Sequence, residues 1–437
     1  MTSLKDLIQR LVQLAVLGLF VGLLCWPFNL VDRWGDQLLS LLPAFSGSAW
    51  RPLTLLLACS PLVVFPLLMV LKGGAFRRGK GSGIPQTMTS IEEPEQAAAL
   101  LGLLPTLQRL VLWSLASLSL MPMGREGPVV QIGASAAFWL RRRFPRWLGD
   151  LRHSDLMAVA GGAGLAGGFN TPLMGVVFVA EEFLGTFSMR LIWPALVISA
   201  MAAAVSSAVG EPEFALGMVG VAPAELIQLA WAIPIGVLAG GLGAVFARML
   251  LAATRLFGGV VQRQPLRLGL LLGGALSLFL LLSGGASGCD GELLMRHMIE
   301  GGSPTNQLLP GVAGDLFTLL LRVIGPVLAL GAGIPGGLID PSFAFGAVLG
   351  QSLGDAGMVP QMGLAFGMVA GLAGATQLPV MAVLFAVRMA GDQQLLPGLL
   401  LASVLGAYVS RLLVDQPVYH ALKGIADEAT PPAPSGS

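Results

Sequence analysis

Apolar residues dominate the chain from residue 11 to residue 413, in stretches that mostly approach the ~17–25 residues with which an α-helix crosses a bilayer. The stretches are continuous. They lack the dyad alternation of a membrane barrel strand, and none of the polar-faced helices that a soluble bundle needs as its outer jacket accompanies them. The pattern predicts an all-α polytopic membrane protein. Its first membrane helix is expected over residues 11–25. Lys5, Asp6 and Arg10 ahead of it resemble the start of a signal peptide, but no clear small-residue cleavage site follows and the next residues are Trp26, Pro27 and Phe28.

Composition strengthens that picture. Of 437 residues, 55% are hydrophobic and 11% charged, against roughly 25% charged in an average soluble domain, too few to coat a water-facing surface of this size. Mean hydropathy is +0.79. A formal net charge of +1 gives no reason to expect a nucleic-acid partner. Cys25, Cys59 and Cys289 are scattered and odd in number, so no disulfide framework or CxxC pair is expected. His153, His297 and His420 are too far apart in sequence to suggest a metal site. Basic residues gather at Lys72, Arg77, Arg78 and Lys80, and again at Arg141, Arg142, Arg143, Arg146 and Arg152. The positive-inside rule places both loops on the cytoplasmic side, and interfacial snorkelling accounts for them equally well. A short disordered tail is expected over residues 426–437, which hold Pro431, Pro432 and Pro434, with no soluble domain appended at either end.

An internal repeat organises the chain. Shifted by 207 positions without a gap, Gly124 and Pro128 meet Gly331 and Pro335, and Ile132, Ser135, Ala137 and Phe138 meet Ile339, Ser342, Ala344 and Phe345. At the same shift, residues 163–167 (Ala-Gly-Leu-Ala-Gly) recur at 370–374. Pro172, Met174, Val176 and Phe178 then match Pro379, Met381, Val383 and Phe385. Two related halves are expected, 1–215 and 216–425, dividing between 209 and 224. Repeats of this kind in transporters commonly hold substrate between them near the midplane. The pattern leaves open whether the halves are parallel or inverted.

Three glycine-rich segments interrupt the apolar runs: Gly81-Ser82-Gly83-Ile84-Pro85, Gly124-Arg125-Glu126-Gly127-Pro128, and the stretch 333–341, which contains Leu338, Ile339, Asp340 and Pro341. In lipid, non-helical backbone persists only where protein buries it or where it lines a polar cavity. Each segment ends in proline, a residue suited to the first turn of a helix, so each reads as a helix restarting inside the membrane. Restarting helices offer unpaired N–H groups and the positive end of the dipole, and glycines let a ligand approach them. Such donors, with the Ser82 hydroxyl, suit an inorganic anion, because a halide accepts hydrogen bonds and a full positive charge would trap it. Glu126, a lone carboxylate between glycines deep in an apolar chain, is a functional candidate by default. Charged, it can occupy an anion position; protonated, it must leave, which couples protons to the anion. Glu181 and Glu182 end the apolar run 156–180, while Arg388 and Met389 stand at the corresponding places in the second half, which suggests a task confined to the first.

In order and spacing these segments resemble the anion-binding motifs of the CLC family of chloride channels and chloride/proton antiporters, of the bacterial type without a C-terminal regulatory domain. Gly168-Phe169-Asn170-Thr171-Pro172-Leu173 is similar to the stretch that follows the family's central helices. The resemblance runs from about residue 81 to about residue 423. It implies inverted halves with broken helices meeting at a midplane anion site, and a homodimer with a pore in each subunit. It also implies residence in a bacterial inner membrane and exchange of chloride for protons, with no cofactor and no hydrolysis. Ser82 becomes the inner hydroxyl ligand and Tyr419 the phenol meeting the same ion, with the amides of Leu338 and Ile339 completing the central site and Gly81, Gly83 and Gly127 giving the backbone room. Glu126 becomes the gating carboxylate and Glu182 the inner proton relay. The chain departs from the family at Ile339, where Phe is commoner, and at Asp340, where Ala is commoner. Gln86 and Met88 replace family acids, and Arg109 stands where a buried lysine is expected. Asp340 is expected to cap a helix N-terminus facing away from the pore. A passive voltage- or pH-gated channel on the same fold remains an alternative, as does a fluoride exporter, although Ser82, where such exporters usually have Asn, favours chloride. An intramembrane enzyme would need a nucleophile with its base or an HExxH metal set, and the isolated histidines supply neither.

Overall fold

The computed structural model of the protein describes residues 4–209, 226–303, 309, 311–354, 360–390 and 393–428. Among these residues the regular structure is helical apart from one isolated antiparallel bridge. The principal helices of the first half are α1 (Leu4–Ser40), α2 (Ile84–Glu92), α3 (Leu103–Leu118), α4 (Glu126–Arg143), α5 (His153–Phe169), α6 (Pro172–Phe178) and α7 (Met189–Val209). Those of the second are α8 (Ala232–Arg263), α9 (Pro265–Leu282), α10 (Val312–Gly331), α11 (Ile339–Gly354), α12 (Pro360–Thr376), α13 (Pro379–Ala390), α14 (Leu396–Leu413) and α15 (Val418–Glu428). Among the described residues, seven helices are long and apolar enough to cross a membrane, or eight if the bent pair Pro94–Leu101 and Leu103–Leu118 forms one span. The outer face is correspondingly apolar, with Leu56, Val63 and Leu271 about seven-tenths exposed, as lipid-facing side chains are. The interior holds most of the glycine and the buried charge.

The first membrane helix exceeds its expected span of residues 11–25. At ~1.5 Å per residue its 37 residues extend for roughly 55 Å, against a hydrocarbon core of ~30 Å, so it must tilt or project beyond the apolar slab. Its C-terminal portion carries Asp32 into the interior. The division expected at 215 lies outside the described residues. The last helix continues to Glu428, into the segment expected as a tail from 426; residues 429–437 of that segment also lie outside the described residues.

The two halves repeat, but not in one gapless register. The expected shift of 207 holds for α5 and α12, which start at 153 and 360 and end at 169 and 376, and for the starts of α6 and α13 at 172 and 379. It fails one helix earlier. Helix α4 starts at 126 and α11 at 339, a shift of 213, so Gly124 corresponds to Gly337 and Pro128 to Pro341, not to Gly331 and Pro335. The packing agrees. A Cβ on Gly133 would come within 2.9 Å of the Gly164 Cα, and one on Gly346 within 3.3 Å of the Gly371 Cα, so the α4–α5 and α11–α12 pairs close on equivalent glycines. Small residues at such crossings let membrane helices pack backbone to backbone. The physical reason for the change of register is length: the stretch from 126 to 153 is six residues longer than that from 339 to 360.

The halves meet around the starts of α4 and α11. Gly124 and Gly337, equivalent by the repeat, exchange both backbone hydrogen bonds at 3.0 and 2.8 Å in an antiparallel bridge. A mutual antiparallel pair between equivalent residues is the local geometry of a two-fold axis, and inverted halves produce it. Nearby, Phe169 meets Phe385 edge-on at a centroid separation of 5.4 Å, and Phe343 stacks on Phe385 at 4.4 Å.

Candidate anion and proton site

All three glycine-rich segments converge. Helices α2, α4 and α11 start within them, with Pro85, Pro128 and Pro341 in the first turns, where a missing N–H costs nothing. The Gly81 N–H donates to the Gly333 carbonyl at 3.3 Å, and the Gly124–Gly337 bridge ties the second segment to the third. Gly83 sits at φ 120°, a conformation nearly closed to other residues, and a Cβ there would also collide with the Gly127 carbonyl. The reverse contact is as close, since a Cβ on Gly127 would run into Ser82.

Two buried cations secure these segments through main-chain carbonyls. Arg109, 1% exposed, reaches from α3 to donate to Gly81 O at 3.2 Å and Lys80 O at 2.8 Å. Lys72 donates to Ala332 O, beside Gly333. The sequence grouped Lys72 with a basic surface loop, but it is 6% exposed, so that expectation is corrected. Gln86, standing where the family has an acid, accepts from the Gly83 N–H at 2.8 Å and closes its own loop. Met88, at the other such place, is simply buried.

Against this backbone frame stand polar atoms without partners. Ser82 Oγ, Tyr419 OH and Glu126 Oε2 are buried and make no hydrogen bond among the described residues. Leaving such an atom unpaired costs on the order of 1–3 kcal/mol, so a group of them marks a place for a ligand or water. The other Glu126 oxygen, Oε1, accepts from the main-chain N–H of Asp340 at 2.6 Å. A carboxylate from the first half therefore occupies a helix-start donor of the second. The amides of Leu338 and Ile339 lie immediately before that donor and have no backbone acceptor among the described residues.

Arg125 does not pair with its neighbour Glu126. Its guanidinium pairs with Asp32, lies 3.6 Å from Asp290 and 3.9 Å from Glu292, donates through Nε to Gly168 O at 3.1 Å and stacks over Phe169 at 4.5 Å. The three carboxylates come within 4.8 Å of one another, a spacing that could hold a metal ion. Arg125 already supplies positive charge to all three. None of these acids was singled out from sequence. They come from α1, from the turn at Asp290 and from the first residue of the helix Glu292–Ile299, and no local motif links them.

Asp340 is fully buried, and neither of its carboxylate oxygens accepts a hydrogen bond among the described residues. The expected helix cap is therefore not made. The side chain stands instead within electrostatic reach of Glu126 and Arg125.

Glu181 and Glu182 part company. They lie on a widened turn, Val179–Phe183, closed by the bond from Leu184 N to Val179 O at 3.1 Å. Glu181 accepts from Val380 N at 3.1 Å and Met381 N at 2.7 Å, capping the start of α13. Glu182 is 2% exposed, and its Oε1 lies 3.3 Å from Nδ1 of His420. Tyr419 sits within electrostatic reach of both Glu126 and Glu182. The sequence reading treated His420 as one of three isolated histidines; its position next to Tyr419 was the available clue.

A sequence model of the family described as voltage gated chloride channel matches residues 69–411. The H(+)/Cl(-) exchange transporter ClcA of Yersinia pseudotuberculosis serotype IB (strain PB1/+) is 29% identical over 447 positions, covering 96% of this chain and 89% of the relative. A slow cyanobacterial Cl−/H+ antiporter of known structure superposes with a TM-score of 0.75 at 24% identity, covering 95% of this chain and 97% of the other. A CLC-type fluoride/proton antiporter superposes equally well, again at 24% identity, covering 96% and 99%. At that level of identity the two structures speak for the fold.

Proposed function

The chain belongs to the voltage gated chloride channel, or CLC, family, and from that premise we propose that it is a chloride/proton antiporter with Glu126 as gating carboxylate and Glu182 as inner proton relay. One observation carries the reading: Glu126 Oε1 rests on the main-chain N–H of Asp340, a donor of the kind a halide would use. The charged carboxylate and the anion then compete for one place. Protonated, Glu126 loses its electrostatic hold on that amide and swings out, and chloride enters; when chloride leaves, the carboxylate returns and gives up its proton. Ser82 Oγ, Tyr419 OH and the amides of Leu338 and Ile339 hold the ion in transit. They are hydrogen-bond donors without full charge, strong enough to replace water and weak enough to release it. Glu182, buried within electrostatic reach of Tyr419, supplies protons from the opposite face.

The protein works as a homodimer with a complete pathway in each subunit, in a bacterial inner membrane, with halves divided near residue 215. Chloride-loaded liposomes carrying the purified protein test the assignment. Chloride efflux should drive protons inward and make the external medium alkaline. Chloride movement without any pH change would instead establish a passive channel.

A further inference from the structure

We propose that His420 is the proton-entry residue for Glu182, taking protons from solvent and passing them inward; this rests on the reading of Glu182 as relay. A carboxylate only 2% exposed has almost no contact with bulk water, yet a relay must exchange a proton in every cycle. The His420 imidazole bridges that gap. Its side chain is 46% exposed while its Nδ1 lies 3.3 Å from Glu182 Oε1, a separation that small side-chain movement closes to transfer distance. Successive helix residues diverge by ~100°, so the first turn of α15 turns the Tyr419 phenol into the core, 0% exposed, and the next side chain to the rim.

The neighbouring groups leave the task to imidazole. Glu181 is held by the Val380 and Met381 amides. Lys423 is paired with Glu92 at 2.5 Å and lies 3.7 Å from Asp427, and as an ammonium it is no proton donor near neutrality. Glu92, with Glu93 beside it, faces the same patch, and Glu92 is engaged by that lysine. Imidazole exchanges protons near neutral pH and has two ring nitrogens. In the step proposed, a solvent proton adds at Nε2, the Nδ1–H bond breaks, and its proton goes to Glu182 Oε1. Neutral imidazole and a neutral carboxylic acid remain, and exchange with water restores the first tautomer.

Four variants in liposomes separate relay from mere ion pairing. Glu182→Gln establishes whether Glu182 carries protons at all. If it retains full proton coupling, the relay reading falls and this inference falls with it. With that control passed, His420→Gln and His420→Lys should each lower proton flux about tenfold or more, less than the ~100-fold low end for a group that carries the proton in the reaction itself, and abolish its dependence on pH near neutrality at the His420 face. His420→Glu, which can titrate but cannot pair as a cation, should keep more proton flux than His420→Lys, with its pH dependence moved towards the carboxylate range. Chloride flux in the same vesicles reports intact folding. Wild-type proton flux in His420→Gln, or His420→Lys outperforming His420→Glu, overturns the assignment and leaves an ion pair.

Discussion

The two repeat-equivalent segments, 124–128 and 337–341, share a backbone and differ in chemistry. Each begins at a bridged glycine, enters a helix two residues later and places proline in the first turn. The first carries Arg125 and Glu126 where the second carries Leu338 and Ile339. One segment therefore contributes a carboxylate and the other contributes main-chain amides, at a shared junction. Repetition supplies the geometry, and in the proposed mechanism the break in side-chain symmetry is what lets an acid and an anion compete for one place. Glu126→Gln breaks that asymmetry while keeping shape. Proton flux should fall at least about 100-fold, the low end for loss of an essential proton-transfer group, while chloride flux continues. Proton flux persisting beside chloride flux in this variant would remove Glu126 from the gate.

Arg125→Leu tests the same comparison on stability, since it copies the residue at the equivalent position of the other half. In the first half the change would remove the guanidinium that Asp32, Asp290 and Glu292 share. Removing one partner from a buried charge network costs about 3–5 kcal/mol. Thermal unfolding in detergent should shift down accordingly. An unchanged transition would mean that the three acids are already neutral or solvated, and that the arginine does not hold the junction.

Much of this contrast was legible in the sequence, for identifiable reasons. Glycine, proline and a carboxylate interrupting apolar runs are local signals, so the restarting helices at Ile84, Glu126 and Ile339 followed from them. The register of the repeat was not recoverable from identity matches, because glycine and alanine recur often enough in membrane helices for Gly124 to find Gly331 as readily as Gly337. The helix starts at 126 and 339 and the glycine contacts between α4 and α5, and between α11 and α12, distinguish the two. Partners of Arg125, the depth of Lys72 and the approach of His420 to Glu182 depend on segments far apart in the chain. No spacing rule connects Asp32 with Asp290. Asp340 invited a capping role by residue type, and the packing withheld the donor.

Ser82→Ala asks how much the first half contributes besides Glu126. The hydroxyl is buried and has no partner among the described residues, so if it holds chloride its deletion removes one hydrogen bond to a charged ligand, worth about 1.5–3 kcal/mol, or roughly 10- to 100-fold in chloride affinity. Calorimetric titration of chloride against the purified protein reads this directly. A change below twofold would place the ion away from the α2 start.

The smallest effect should come from Asp340→Ala, which installs the residue commoner in the family at the position equivalent to Gly127. Glu126 is held by the main-chain N–H of residue 340, which the substitution keeps, so the gate and its proton coupling should survive. What changes is the field. A buried carboxylate opposes a nearby anion by on the order of 1–2 kcal/mol at an effective dielectric of ~20, so chloride affinity should rise by roughly 5- to 30-fold. The same titration measures it, and proton-coupled flux is the control. Loss of coupling in Asp340→Ala would show that the second half also contributes an acid to the proton path. The division of labour between a carboxylate half and an amide half would then be wrong at the residue where the two halves touch.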